Sequence, residues 1–163
     1  MKLRHGNLVT GLHPGIKNTC AIIQQVNAQG VMGSGIAKEI RETWPKVWDE
    51  YSATVGAAYT QGDSGLKHMG RVIITDIAPE LIVISIVGQQ FFGRDGSRYT
   101  SYDALDKGFS RIADLLGGLD VKFHHPFIGC GLGGGNWHVI SSMIEEHLGS
   151  DTTLWMLPML PPV

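Results

Sequence analysis

Ile128-Gly129-Cys130-Gly131-Leu132-Gly133-Gly134-Gly135-Asn136-Trp137 is the most informative segment of the chain. Five of the seven residues from Gly129 to Gly135 are glycine. Before them lies an apolar run, Val121 to Ile128, and after them a segment whose Trp137, Ile140, Met143, Ile144 and Leu148 share one helical face. The order predicts a strand, a bare loop and a helix start. Glycine lets backbone amides approach a ligand closely, and the first turn of a helix adds unpaired N–H donors and a partial positive charge. Such a loop suits an anion, above all a phosphate. The plainer alternative is a flexible connection.

A second loop of the same kind weighs against that alternative. Thr19 to Asn27 begins apolar and turns polar, as a buried central strand does where its C-terminal end meets solvent. It leads into Asn27-Ala-Gln-Gly30-Val-Met-Gly33-Ser34-Gly35-Ile36-Ala37, where three glycines precede a helix with Ile36, Ala37, Ile40 and Trp44 on one face. Both loops follow strand C-termini, so they are expected side by side at one sheet edge. Two anion sites that close suit a diphosphate.

The remaining segments complete an α/β pattern. Lys2 to His5 reads as an edge strand and Thr10 to Asn18 as loop. Pro45 interrupts the first long helix, and Trp48, Tyr51 and Val55 continue an apolar stripe read as core. Gly56 to Gly70 reads as exposed. Arg71 to Ile77 and Leu81 to Val87 read as an antiparallel strand pair, followed by a polar loop from Gln89 to Tyr99 that carries Arg94 and Arg98. Thr100 and Asp103 have capping-box spacing for a helix with Leu105, Phe109, Ile112, Ala113 and Leu116 on one face, ending at Gly117-Gly118. Thr152 to Leu157 is the last strand, and Pro158, Pro161 and Pro162 stop anything further. A three-layer α/β/α arrangement with a mixed, mostly parallel central sheet follows.

Composition bounds the function. With 163 residues, 43% of them hydrophobic, and a formal charge of -2, residues 1–163 are expected to form one domain. No run approaches a membrane span, the start lacks a signal-peptide order, and a cytoplasmic monomer that binds no membrane is expected. Cys20 and Cys130 read as free thiols. The lack of a basic stripe disfavours a nucleic-acid backbone as main ligand. Gly129-Cys-Gly131-Leu-Gly-Gly134 matches a dinucleotide fingerprint by letter, yet the strand after it ends Trp155-Met-Leu-Pro158 with no acid for a ribose. No lysine follows either loop in the Walker arrangement. Six positions after Cys130 stands Asn136 where a cysteine phosphatase has arginine, so Cys130 reads as a small loop residue.

The two loops, together with Gly93-Arg-Asp-Gly-Ser-Arg-Tyr-Thr-Ser-Tyr102-Asp-Ala-Leu105, resemble macrodomains, and within them the stand-alone branch of ADP-ribose-1''-phosphate phosphatases and ADP-ribosyl-acylester hydrolases. The likeness runs from about Leu3 to Leu157. It implies ADP-ribose, or ADP-ribose-1''-phosphate, held across the strand ends. By this resemblance Asn7 and the backbone of Leu8 meet adenine, Asn27 reaches the distal ribose, Gly33, Ser34, Gly35 and Ile36 with Gly129, Cys130, Gly131, Leu132, Gly133, Gly134, Gly135 and Asn136 hold the diphosphate and distal ribose, and Leu157 borders adenine. The chain departs from the pattern at Asn7, usually Asp. It also departs at Gly88 to Gln90 and at Gly133, where the acylester hydrolases have a catalytic lysine and aspartate. Asn136 stands where some phosphatase relatives have Asp, and Gln24 near a place where another has histidine.

The resemblance therefore implies removal of the phosphate of ADP-ribose-1''-phosphate, the alternatives being release of ADP-ribose from a protein or nucleic acid, or binding without turnover. Asn27, Asn136 and His138 are the candidate catalytic residues. His138 sits at a helix start, which favours neutral imidazole; the plain reading is an exposed first-turn residue. Arg94 and Arg98 either close over a phosphate or are solvated. His124 and His125 point to opposite faces of a strand, and no metal or other cofactor is expected.

Overall fold

The computed structural model describes residues 1–13, 18–56 and 65–158. Strand β2, Thr19–Asn27, is buried along nearly its whole length because both its faces are apolar, with Ile22 and Val26 on one and Ala21 and Ile23 on the other. It lies between β5, Val121–His125, and β4, Leu81–Gln89, and is parallel to both. Outside β5 run β6, Thr153–Met156, and then β1, Lys2–His5, at the edge, both parallel. Outside β4 runs β3, Val72–Ala78, antiparallel. The order among the described residues is β1-β6-β5-β2-β4-β3. The expected mixed, mostly parallel sheet is what forms, with its single antiparallel pair where the Ala78-to-Leu81 connection is too short for a crossover.

Helices cover both faces. Against one pack α1, Leu8–Gly11, α2, Gly35–Thr43, and α3, Pro45–Tyr51, through Val9, Ile40, Val47 and Tyr51. Against the other pack α4, Tyr102–Leu116, and α5, Trp137–Leu148, through Leu105, Phe109, Ile112, Ile140 and Ile144. The helices α2 to α5 bury residues of the stripes their spacing predicts.

Four boundaries move. β5 stops at His125, because Pro126 lacks an amide hydrogen for the ladder, and Ile128 instead sits buried in a turn. The cap of α4 is Ser101, whose hydroxyl accepts from the Ala104 amide at 3.2 Å, not Thr100. Residues Leu8–Gly11 form a short helix where loop was expected from Thr10. The stripe past Tyr51 continues as a π-turn, Ser52–Gly56, which buries Val55. In the Gly56–Gly70 stretch, expected exposed, Gly65 and His68 are buried. Residues 14–17 of the predicted first loop, residues 57–64, and Pro161 and Pro162 lie outside the described residues. No described helix is long and apolar enough to cross a membrane.

Candidate functional site

The adjacent C-terminal ends of β2 and β5 open into a cavity of about 900 Å³. One wall is the loop after β2 with the start of α2: Asn27, Val31, Met32, Gly33, Ser34, Gly35, Ile36 and Ala37. The facing wall runs from Pro126 to Gly129 and from Gly131 to Gly133. Gln25, Gln89, Phe92, Gly93 and Arg94 close one end, and Trp155, Met156 and Leu157 contribute from β6 and its exit. The two glycine loops thus share one rim.

Asn27 builds the first loop. Its Oδ1 accepts from the Gln29 amide at 3.0 Å and the Val31 amide at 3.3 Å, and its Nδ2 donates to the Val31 carbonyl at 2.7 Å. From below, the buried Tyr51 hydroxyl donates to the Asn27 carbonyl at 2.6 Å and lies 2.9 Å from Oδ1; burial raises the Tyr51 pKa well above the usual phenol range. The turn then needs φ of +80° at Gly30, and a Cβ there would meet the Gly56 Cα at 2.7 Å. The first intrahelical bond of α2 joins the Lys38 amide to the Ser34 carbonyl at 3.3 Å, so the amides of Gly35, Ile36 and Ala37 reach no helical carbonyl and face the cavity end of the helix.

The second loop folds on itself and onto the arginine loop. Gly135 N–H donates to the Gly129 carbonyl at 2.8 Å and Gly134 N–H to the Gly131 carbonyl at 3.1 Å. The Gly133 carbonyl accepts from the amides of Tyr99 at 2.9 Å and Thr100 at 3.0 Å. The Thr100 hydroxyl donates to the Gly129 carbonyl at 2.8 Å and accepts from Gln25 Nε2 at 3.0 Å, which also donates to Gln89 Oε1 at 2.7 Å. This chain of polar side chains links β2, the β4 exit and the second wall. Among the described residues, the amides of Gly131, Leu132 and Gly133 have no such partner. They are the donors the loop offers to an anion.

Other expected residues fall elsewhere. Asn7 and Leu8 do not line the cavity: Asn7 caps α1, its Oδ1 accepting from the Val9 amide at 2.8 Å and the Thr10 amide at 3.1 Å while its Nδ2 donates to Glu39 at 2.8 Å. Leu8 is buried in the core. Asn136 is likewise a cap, with Oδ1 accepting from the His138 amide at 2.8 Å and its own amide donating to the Tyr102 hydroxyl at 3.0 Å. Neither Asn136 nor His138 is among the residues lining the cavity; the Asn136 side chain is engaged in capping α5. Cys130, Gly134 and Gly135 also stand behind the wall, shaping it. The Cys130 thiol donates to the Ile128 carbonyl at 3.4 Å, and burial pushes its pKa up, the opposite of what a nucleophile needs.

Of the three residues in this bridge, Thr100 was read only as a helix cap and Gln89 only as the start of a polar loop, and Gln25 was not singled out in the sequence. The available signal was Gln24-Gln25, an amide pair where an apolar strand turns polar. Among the described residues, Arg94 is the sole ionisable side chain on the cavity wall. Arg98 instead lies over the Tyr102 ring, 4.5 Å from its centroid. His124 and His125 face opposite sides as expected. The Trp155 indole donates to His124 Nδ1 at 2.9 Å, and His125 bridges the Pro126 carbonyl and the Thr152 hydroxyl at 3.0 and 3.1 Å. Away from the cavity, Asp106, Glu146 and His147 gather between α4 and α5, where a His147–Asp106 bond of 2.8 Å accounts for the contact.

No protein-family model matches the chain, and no curated protein does. Solved structures do. A Bacteroides thetaiotaomicron protein of unknown function superposes with a TM-score of 0.76 at 20% identity, over 96% of this chain and 97% of that one. A macrodomain protein from Streptomyces coelicolor gives 0.71 at 23% identity, over 95% and 97%. DarTG of Thermosipho africanus, solved in complex with ADP-ribose, gives 0.63 at 16% identity over 99% of this chain and 43% of that one. The chain has the macrodomain fold.

Proposed function

We propose that the cavity binds ADP-ribose, with the diphosphate between the free amides of Gly131, Leu132 and Gly133 and the first-turn amides of α2. The observation that carries this reading is the meeting of two amide clusters in one cavity of about 900 Å³, a size suited to a nucleotide sugar. It is supported by the fold shared with an ADP-ribose complex. Trp155 and the exposed Leu157 supply an apolar end suited to the base. Asn7, occupied in capping, is replaced in this role by backbone and apolar contact, so adenine selectivity is weaker than an aspartate would give.

Binding is the activity the geometry favours. Hydrolysis needs a group to take a proton from water, and among the described residues the cavity wall carries neither carboxylate nor imidazole. Removal of the phosphate of ADP-ribose-1''-phosphate, or of an ADP-ribosyl group from a macromolecule, is the second reading, and the free amides favour it because they can hold charge that develops on phosphoryl oxygens. The proton must then pass to an oxygen of the substrate itself. Titration calorimetry with ADP-ribose tests the first reading; no heat at high micromolar ligand overturns it. Phosphate release from ADP-ribose-1''-phosphate tests the second. Binding without release leaves a domain that captures or reads ADP-ribose. Arg94→Ala is expected to weaken the 1''-phosphate ligand more than ADP-ribose, because only the former carries an extra anion for the guanidinium.

A further inference from the structure

A second cavity, of about 650 Å³, lies at the sheet edge beside β3 and is walled by the side chains of Lys67, Arg71, Lys107 and Arg111. No Asp or Glu is among its described lining residues. In a chain whose formal charge is -2 and whose Lys and Arg number 13, four of these residues line one hollow. Ordinary surface cations are interspersed with acids. Here Lys38 and Lys46 do face Glu42 and Glu50 one turn on. By contrast, Arg71, Lys107 and Arg111 have no ion pair or side-chain hydrogen bond among the described residues.

Their placement is built by the fold. Lys107 and Arg111 stand one turn apart on α4, a like-charged spacing, with Asp103 one turn before the pair and Asp114 one turn after it. Gly70 lets the chain run close under Lys107: φ is +84°, and a Cβ there would lie 3.2 Å from the Lys107 Cβ. The Gly70 amide donates to the Val87 carbonyl at 2.8 Å and the Val87 amide to the Arg71 carbonyl at 2.9 Å, which fixes Arg71 opposite α4. Cations from two separate segments, β3's entry and α4, therefore converge.

We infer that this hollow is a second anion site, for a ligand bearing two or more phosphate groups, separate from the ADP-ribose cavity. One phosphate would satisfy the Lys107–Arg111 pair and a neighbouring one Arg71, since guanidinium and ammonium groups both bind phosphate oxygens with charge-assisted bonds. The source of those phosphates is either a small polyphosphate or the backbone of a nucleic acid.

Inorganic tripolyphosphate is the probe. Titrated into the isotopically labelled chain at low salt, it is expected to shift the amides of Gly70, Arg71 and Lys107 saturably, with affinity falling as salt rises. Lys107→Gln/Arg111→Gln is expected to weaken those shifts at least tenfold while changing ADP-ribose affinity less than twofold. Shifts at Gly131 and Gly133 report the first cavity separately, so failure of either site is visible without the other. An eight-nucleotide single strand, compared at equal phosphate concentration, assigns the source: tighter strand binding points to a polymer backbone, tighter tripolyphosphate binding to a small ligand. Absence of saturable shifts at Gly70 and Arg71 with either probe overturns the inference. So does equal binding by the folded double variant, its folding checked by circular dichroism.

Discussion

Asn27 and Asn136 show how one residue type serves two ends. Both accept backbone amides two residues on, but Asn27 does so inside the cavity wall and Asn136 on the outer start of α5. Asn136→Ala should therefore cost about 1 kcal/mol of stability as a lost helix cap, and calorimetry with ADP-ribose should return the wild-type affinity within twofold. His138→Ala should leave any phosphate release unchanged. A drop of more than tenfold in either variant would return these residues to the reacting centre.

His125 sets a pH dependence. It is fully buried, and loss of solvation lowers its pKa to about 4, partly offset by the bond to the Pro126 carbonyl. Its folded pKa lies below the unfolded value of about 6.5. The unfolded chain thus binds the proton first as pH falls. The stabilisation is complete above pH ~6.5, is lost as the pH drops toward ~4, and amounts to roughly 3 kcal/mol. Urea denaturation between pH 7 and 4 measures that slope, and His125→Gln should flatten it.

Among elements, glycines at positive φ differ in what surrounds them. Gly118, after α4, has φ of +83° with open space around its Cβ position, whereas Gly30, at φ +80°, faces the Gly56 backbone. Gly118→Ala should cost only the left-handed backbone penalty, ~1–2 kcal/mol. Gly30→Ala should cost more, because main chain must also move. Equal costs for the two variants, measured by chemical denaturation, would remove the Gly56 contact from the account. The polar bridge makes a third element-level prediction: Thr100→Val removes one of the two hydrogen bonds made by the Gly129 carbonyl and one of the two made by Gln25 Nε2, and should destabilise by about 0.5–1.5 kcal/mol. If the bridge aligns the walls, ADP-ribose affinity falls with it.

For the whole molecule, a ligand that binds only the folded state stabilises it by mass action. At one hundred times its dissociation constant, ADP-ribose should add about 2.7 kcal/mol and raise Tm by roughly 5–10 °C for a chain of this size. Lys107→Gln/Arg111→Gln should show the same rise, since those cations lie outside the first cavity. No shift with ADP-ribose would count against the first site and leave the second untouched.

Much of this architecture is written locally. The alternation of β-branched runs with 3.6-periodic stripes placed β2, β3, β4, α2, α4 and α5, and the glycine pairs after two strand ends located the cavity's facing walls, because strand and helix periodicity are properties of neighbouring residues. The ends of elements were less legible: Pro126 cut β5 short, and Ser101 rather than Thr100 took the cap. The long-range polar contacts were settled by packing instead. Asn7 Nδ2 reached Glu39, Thr100 joined Gln25 and Gly129, and Arg71 came to face Lys107 across a hollow. A hydrogen bond is short and directional, so its partner is fixed only once segments tens of residues apart have packed. Hydrophobic patterning carries no record of that choice.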